Sequence, residues 1–65
     1  MDKKEFEKQW EKATGNKMRL AIIYLKDGGI LDAVNYSFGK NNQVFLYNLH
    51  GSIGHISLKS IKEVV

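Results

Sequence analysis

The sequence has no cysteine, no proline and no long run of apolar residues. Without cysteine there can be no disulfides and no thiolate metal sites, which fits a reducing compartment. Spanning a membrane with a helix takes roughly 18 consecutive apolar residues, and no segment approaches that. The opening MDKKEFEKQW is charged throughout and lacks the apolar centre of a secretory signal. The expectation is a soluble, cytoplasmic protein. The absence of proline means that no element need be interrupted for want of a backbone donor.

What is present amounts to one small domain. A chain of 65 residues buries only roughly 60% of the surface it exposes when unfolded. With disulfides and thiolate metal sites excluded, self-association is the remaining remedy for a thin core. The charge is unevenly placed. Residues 1–14 balance Lys3, Lys4, Lys8 and Lys12 against Asp2, Glu5, Glu7 and Glu11. Residues 15–65 set Lys17, Arg19, Lys26, Lys40, Lys59 and Lys62 against Asp27, Asp32 and Glu63, so the net +3 belongs to them. That excess suits a polyanionic partner and also suits plain solubility.

Asp2-Lys3-Lys4-Glu5 fits a capping box, with Asp2 accepting from the backbone and Glu5 reaching back. Phe6, Trp10 and Ala13 follow at helical spacing and form an apolar stripe, with Lys4, Lys8 and Lys12 opposite. The spacing predicts a helix over about 3–14, ended by Gly15-Asn16. The rest reads as strands. Residues 17–26 are apolar on both faces from Leu20 to Leu25, which predicts a strand covered on two sides. Asp27-Gly28 predicts a type I′ hairpin turn. Residues 30–38 alternate, with Val34, Tyr36 and Phe38 on one face, and Gly39-Lys40-Asn41-Asn42 turns the chain. Strands are expected at 43–49 and about 53–58, with a turn at His50-Gly51-Ser52 between them. The spacing of Ile56, Leu58, Ile61 and Val64 then predicts one helical turn at Lys59-Ser60 and a last strand at 61–65. The expected architecture is mainly β with an N-terminal helix: a five-stranded, strongly bent antiparallel barrel over about 17–65, closed or nearly closed, because closure removes exposed edges. A four-stranded sheet backed by one helix is the alternative.

This plan resembles the Sm-like small barrel, an SH3-like architecture, and within that superfamily the bacterial Hfq RNA chaperones. Ile23-Tyr24-Leu25-x-x-Gly28 resembles the family's first hairpin. Tyr36-Ser37-Phe38, a polar turn and Val44-Phe45-Leu46 resemble the passage between its second and third strands, and Ile56, Ile61 and Val64 match its closing segment. Three positions depart from it. Gly39 stands where the family has aspartate, Ile30 where it has lysine, and Ser57-Leu58-Lys59 where the bacterial branch has Tyr-Lys-His. The last change removes the uridine-binding pore motif. The resemblance then implies adenine-rich RNA on the other face, at Tyr24, Gly28 and Leu31. It also implies a ring hexamer or heptamer, in which the fourth strand of one subunit pairs with the fifth of the next through Ile53, Ile56, Ile61, Val64 and Val65.

RNA recognition needs cations for phosphate and flat side chains for bases. Tyr24, Tyr36, Phe38, Phe45 and Tyr47 supply the flat faces, and Arg19, Lys26, Lys40 and Lys59 supply charge. Aromatics at strand spacing usually belong to a core, and Tyr24, beside a turn, is the expected exception. The expected RNA-binding set is therefore Tyr24, Lys26, Gly28, Leu31, Lys40 and Lys59. His50 and His55, with only Asp27, Asp32 and Glu63 as scattered acids, do not complete a metal site. No serine is tied to a histidine–acid pattern, and Gly28-Gly29 joins two strands rather than a strand and a helix. No enzyme and no cofactor is expected. The leading expectation is a self-associating module for single-stranded RNA. The alternative is a small adaptor or inhibitor, regulatory or phage-type, acting through protein contact alone.

Overall fold

A computed structural model describes all 65 residues. Helix α1 covers Lys3–Thr14. At its start the Glu5 amide donates to Asp2 Oδ1 at 2.8 Å, so the backbone half of the capping box forms. At its end Gly15 takes φ 64°, and its amide donates to Glu11 O at 2.7 Å. The left-handed cap is a conformation that glycine adopts without penalty. Phe6 and Trp10 are buried as the apolar stripe requires. Thr14 joins them, and its hydroxyl donates to Trp10 O at 2.8 Å, so no side-chain polar atom is buried without a partner.

Six strands follow: β1 Ala21–Leu25, β2 Ile30–Ala33, β3 Asn35–Phe38, β4 Gln43–Asn48, β5 Gly51–Ser57 and β6 Ile61–Val64, with a 3₁₀ turn at Leu58–Ser60. They form two three-stranded antiparallel sheets, ordered β2-β1-β6 and β3-β4-β5. The expected five strands became six because the segment 30–38 breaks at Val34. Its amide crosses to Tyr47 O (2.8 Å), and the side-chain alternation changes phase there. Leu31 and Ala33 face inward before the break, Tyr36 and Phe38 after it.

The expected closed barrel is also not what forms. β5 and β6 are joined by the 3₁₀ turn and never pair, so the two sheets stay separate. Helix α1 spans the opening. It packs on β6 and β1, and Phe6 meets Tyr36 and Phe38 of β3 edge-on at 4.9 and 5.9 Å between centroids. Gln9 fastens it, its Oε1 accepting from the Val64 amide at 2.8 Å.

Two further expectations need correction. β1 is covered on one face only: Ala21 and Ile23 are buried, whereas Ile22 is 37% exposed. The helix packs over the same side as the core and leaves the other side of β1 open. At the first hairpin only Gly28 takes positive φ (95°), and its amide donates to Leu25 O. That is a three-residue loop with a left-handed glycine, not a type I′ turn. The two successive positive φ values occur instead at Asn41 (57°) and Asn42 (58°), where Gln43 N donates to Lys40 O.

Candidate nucleic-acid interface

The strict alternation of Gln43–Asn48 sends Val44 and Leu46 into the core and leaves Phe45 and Tyr47 on the outer face of the β3-β4-β5 sheet. Register brings His55 opposite Phe45, with ring centroids 5.5 Å apart. Ser37, opposite Phe45 on the other side, shares a 3.2 Å hydrogen bond between its Oγ and Tyr47 Oη. The ladder puts Asn35, Gln43, Ser52 and Ser57 on the same face. The result is a polar outer face bearing two aromatic rings and an imidazole, without one carboxylate.

Gly39 makes room for the first ring. A Cβ there would lie 2.6 Å from Phe45 Cε2, so the ring occupies the space a side chain would need. An aspartate at this position, as in the family the sequence resembles, could not coexist with Phe45 where it stands. Gly39→Ala is expected to displace Phe45 and cost about 1–3 kcal/mol. A urea titration would measure the loss, and an unchanged midpoint would show that Phe45 yields freely.

The turns that carry three of the lysines meet at one end of this sheet. Lys40 lies in the β3–β4 turn and Lys59 in the 3₁₀ turn, and the two turns are tied by Leu58 N donating to Asn42 O at 2.8 Å. Lys26 N donates to Ser60 O at 2.9 Å, which brings the β1–β2 turn to the same place. Lys3 Nζ sits 5.5 Å from the centre of the Phe38 ring. Three of the expected RNA-binding residues, Lys26, Lys40 and Lys59, thus surround one short turn, with Gly28 in the adjacent loop.

The other expected residues lie elsewhere. Tyr24 is on the outer face of the β2-β1-β6 sheet, between Ile30 and Glu63 on its rung. A carboxylate beside the ring is poor company for phosphate. Leu31 faces inward and packs on the core. It walls a cleft of about 230 Å³ together with Leu46, Ile53, Gly54, His55 and Ile56. Of the expected interface set, Ile61 and Val64 are buried within the single chain, Ile56 is half-buried, and Ile53 is 39% exposed. The outward amide of Val64 is already taken by Gln9, so at this point β6 does not offer a free edge.

Tyr36 and Phe38, two of the five candidate flat faces, are consumed by packing against Phe6 and Trp10. Burial raises the Tyr36 phenol above its ordinary 10.0, and Glu7 and Glu11 push in the same direction. No three histidine or carboxylate side chains converge as a metal site would require, and no helix is long and apolar enough to cross a membrane. Comparison with protein-family models, with curated proteins and with solved structures gives no match.

Proposed function

We propose that this chain is a binding module for single-stranded RNA, working through the outer face of the β3-β4-β5 sheet. The observation that carries the reading is the pairing of a carboxylate-free outer face, with two half-buried aromatic rings, and an end where three lysine-bearing turns meet. Bases have flat faces that stack on Phe45 and Tyr47, whichever base it is. Lys40, Lys59 and Lys26 take the phosphates that run off the end of the sheet. Binding of this kind is tolerant of sequence, because neither ring reads a hydrogen-bonding edge. His55 and Ser37 add polar contacts at the margin of the rings.

The strand order supports a place near the Sm-like group. It runs β6-β1-β2, continues through the bend at Val34 into β3-β4-β5, and has one helical turn between the last two strands. The aromatic face replaces Tyr24 as the seat of RNA, since Tyr24 has Glu63 beside it.

The test is fluorescence anisotropy with short A-rich and U-rich RNAs at 50 and 200 mM salt. Neutralising about three phosphates gives a slope near −0.7 per phosphate, so affinity should fall roughly 20-fold between the two salts. The two RNAs should bind within a few-fold of each other. No binding at the lower salt would sink the proposal.

A further inference from the structure

Stacking on Phe45 and Tyr47 and contact between lysine and phosphate serve RNA and single-stranded DNA equally. Neither selects the sugar. The 2′-hydroxyl is the group that tells the two apart, and it both donates and accepts hydrogen bonds. The outer face of the β3-β4-β5 sheet holds one feature of matching chemistry.

Both rings of β4 lean the same way across β3. Tyr47 stands opposite Asn35, yet its Oη lies 3.2 Å from Oγ of Ser37, two residues along. Phe45 stands opposite Ser37, and its ring fills the space beside Gly39, again two residues along. The Ser37–Tyr47 hydroxyl pair therefore lies on the β3 side, at the tip of one ring and the flank of the other. Alternate residues of a strand are about 6.6 Å apart, about twice the 3.4 Å step of a stacked nucleic-acid strand. Bases resting on both rings are thus unstacked from each other, with the backbone that links them drawn out alongside.

The β3 side is also where that backbone finds charge and donors. Lys40 follows Gly39 directly, and Lys3 Nζ sits 5.5 Å from the ring centre of Phe38, the residue before it. A strand whose phosphates start there and follow β3 carries its sugars past Ser37 and then Asn35. Asn35 Oδ1 accepts from the Tyr36 amide at 2.9 Å, which leaves its Nδ2 as a further donor. β3 is an edge strand of its sheet, so no neighbouring strand lies beyond it on that side.

Given RNA on this face, we propose that Ser37 and Tyr47 together read the ribose 2′-hydroxyl and make the module selective for RNA over DNA. Two hydroxyls that share one hydrogen bond keep one free O–H and lone pairs on both oxygens. A 2′-hydroxyl set against them accepts from the free O–H or donates to a lone pair. Deoxyribose does neither, and its C2′ displaces water from the pair without replacing the hydrogen bond. No carboxylate lies on this face to compete for the ribose hydroxyl. Ser37 is exposed and Tyr47 half-buried, so the preference is moderate, about three- to tenfold.

Fluorescence anisotropy of the full chain at low salt, with RNA, DNA and 2′-fluoro oligomers of one sequence, tests the proposal. RNA should bind about three- to tenfold more tightly than DNA. The 2′-fluoro oligomer keeps the sugar pucker of RNA but has no O–H to donate, and it should bind like the DNA. Ser37→Ala combined with Tyr47→Phe keeps both ring faces and should bring the RNA and DNA affinities together. Ser37→Thr, which keeps a hydroxyl, should retain the parent's ratio. A ratio reports selectivity whatever fraction of the chain is folded, so misfolding does not imitate the result. Equal binding of RNA and DNA by the parent, a 2′-fluoro oligomer that binds like RNA, or a preference that survives the double variant would overturn the sugar readout and leave RNA binding standing. Failure of the parent to bind either RNA or DNA would overturn both.

Discussion

Phe6→Ala is expected to leave most of the chain unfolded at 25 °C. Phe6 is fully buried and touches rings on both sides of the molecule: Trp10 on its own helix at 5.9 Å, and Tyr36 and Phe38 on β3 at 4.9 and 5.9 Å. Removing a buried phenylalanine costs about 3–5 kcal/mol, through lost transfer energy and the cavity left behind. A domain of this length holds about 3–10 kcal/mol in all, and a small one sits low in that range. The cavity would open between the helix and the two sheets, so neither could collapse onto it without losing the other. Trp10 is the one tryptophan and is buried, so its emission should shift to the red together with the loss of far-ultraviolet ellipticity. Phe6→Leu, which keeps most of the volume, should fold with a lowered urea midpoint. A Phe6→Ala chain that melts like the parent would mean that the helix is an ornament on a self-sufficient pair of sheets.

The helix was legible because its signals agree with one another. A cap at Asp2, apolar residues at helical spacing and a glycine stop all mark the same twelve residues, and each acts within a few positions of the chain. The 3₁₀ turn was legible for a related reason, since spacing changes from two to three at Leu58. The break at Val34 was not. No glycine or proline marks it in ILDAVNYSF, and the one local sign is the adjacent apolar pair Ala33-Val34, where the apolar positions pass from 31 and 33 to 34, 36 and 38. The cause is distant, a hydrogen bond from Val34 N to Tyr47 O together with the demand that Ala33 and Tyr36 both face one core. The type I′ expectation at Asp27-Gly28 failed for the same kind of reason. Asp27-Gly28 carries the stronger dipeptide signal for paired positive φ, but the loop there has three residues. The Asn41-Asn42 pair, two residues that tolerate the left-handed region, took the tighter turn.

The candidate site was half legible. The cations Lys26, Lys40 and Lys59 were identifiable singly, but their convergence on one turn depends on backbone bonds between segments more than a dozen residues apart. Which aromatics are core and which are surface follows from β4 alone. In QVFLYN, Val44 and Leu46 claim the interior, so Phe45 and Tyr47 must face out. Tyr36 and Phe38 carry the same alternation with the phase reversed, and Phe6 and Trp10 cover them. The signal was therefore present in the spacing. What hid it was the general rule that aromatics at strand spacing belong to a core, applied to β3 and β4 together, which left Tyr24, beside a turn, as the apparent exception.

Phe45→Ala combined with Tyr47→Ala is expected to reduce RNA affinity at least 30-fold, with each single variant accounting for roughly half of that on a logarithmic scale. Stacking a base on an aromatic side chain contributes about 1–3 kcal/mol by alanine substitution, and 30-fold corresponds to about 2 kcal/mol. Both rings are half-buried on the outside of the sheet, and their loss removes cross-strand contacts worth about 0.2–1 kcal/mol each. Folding should therefore survive, and Trp10, on the far side of the core, would report it independently of RNA. Aromatic replacement separates stacking from bulk: Phe45→Trp should retain binding, and Phe45→Leu should not. Tyr24→Ala, beside Glu63 on the outer face of the other sheet, should leave affinity within twofold of the parent. The pair of results decides between the two faces, for a loss at Tyr24 with Phe45 and Tyr47 silent would move the site back to the first hairpin. Because stacking is local and phosphate contacts are not, the double variant should also keep the salt slope of the parent. Lys40→Ala should do the reverse, lowering the slope by about 0.7 while the rings still hold the bases.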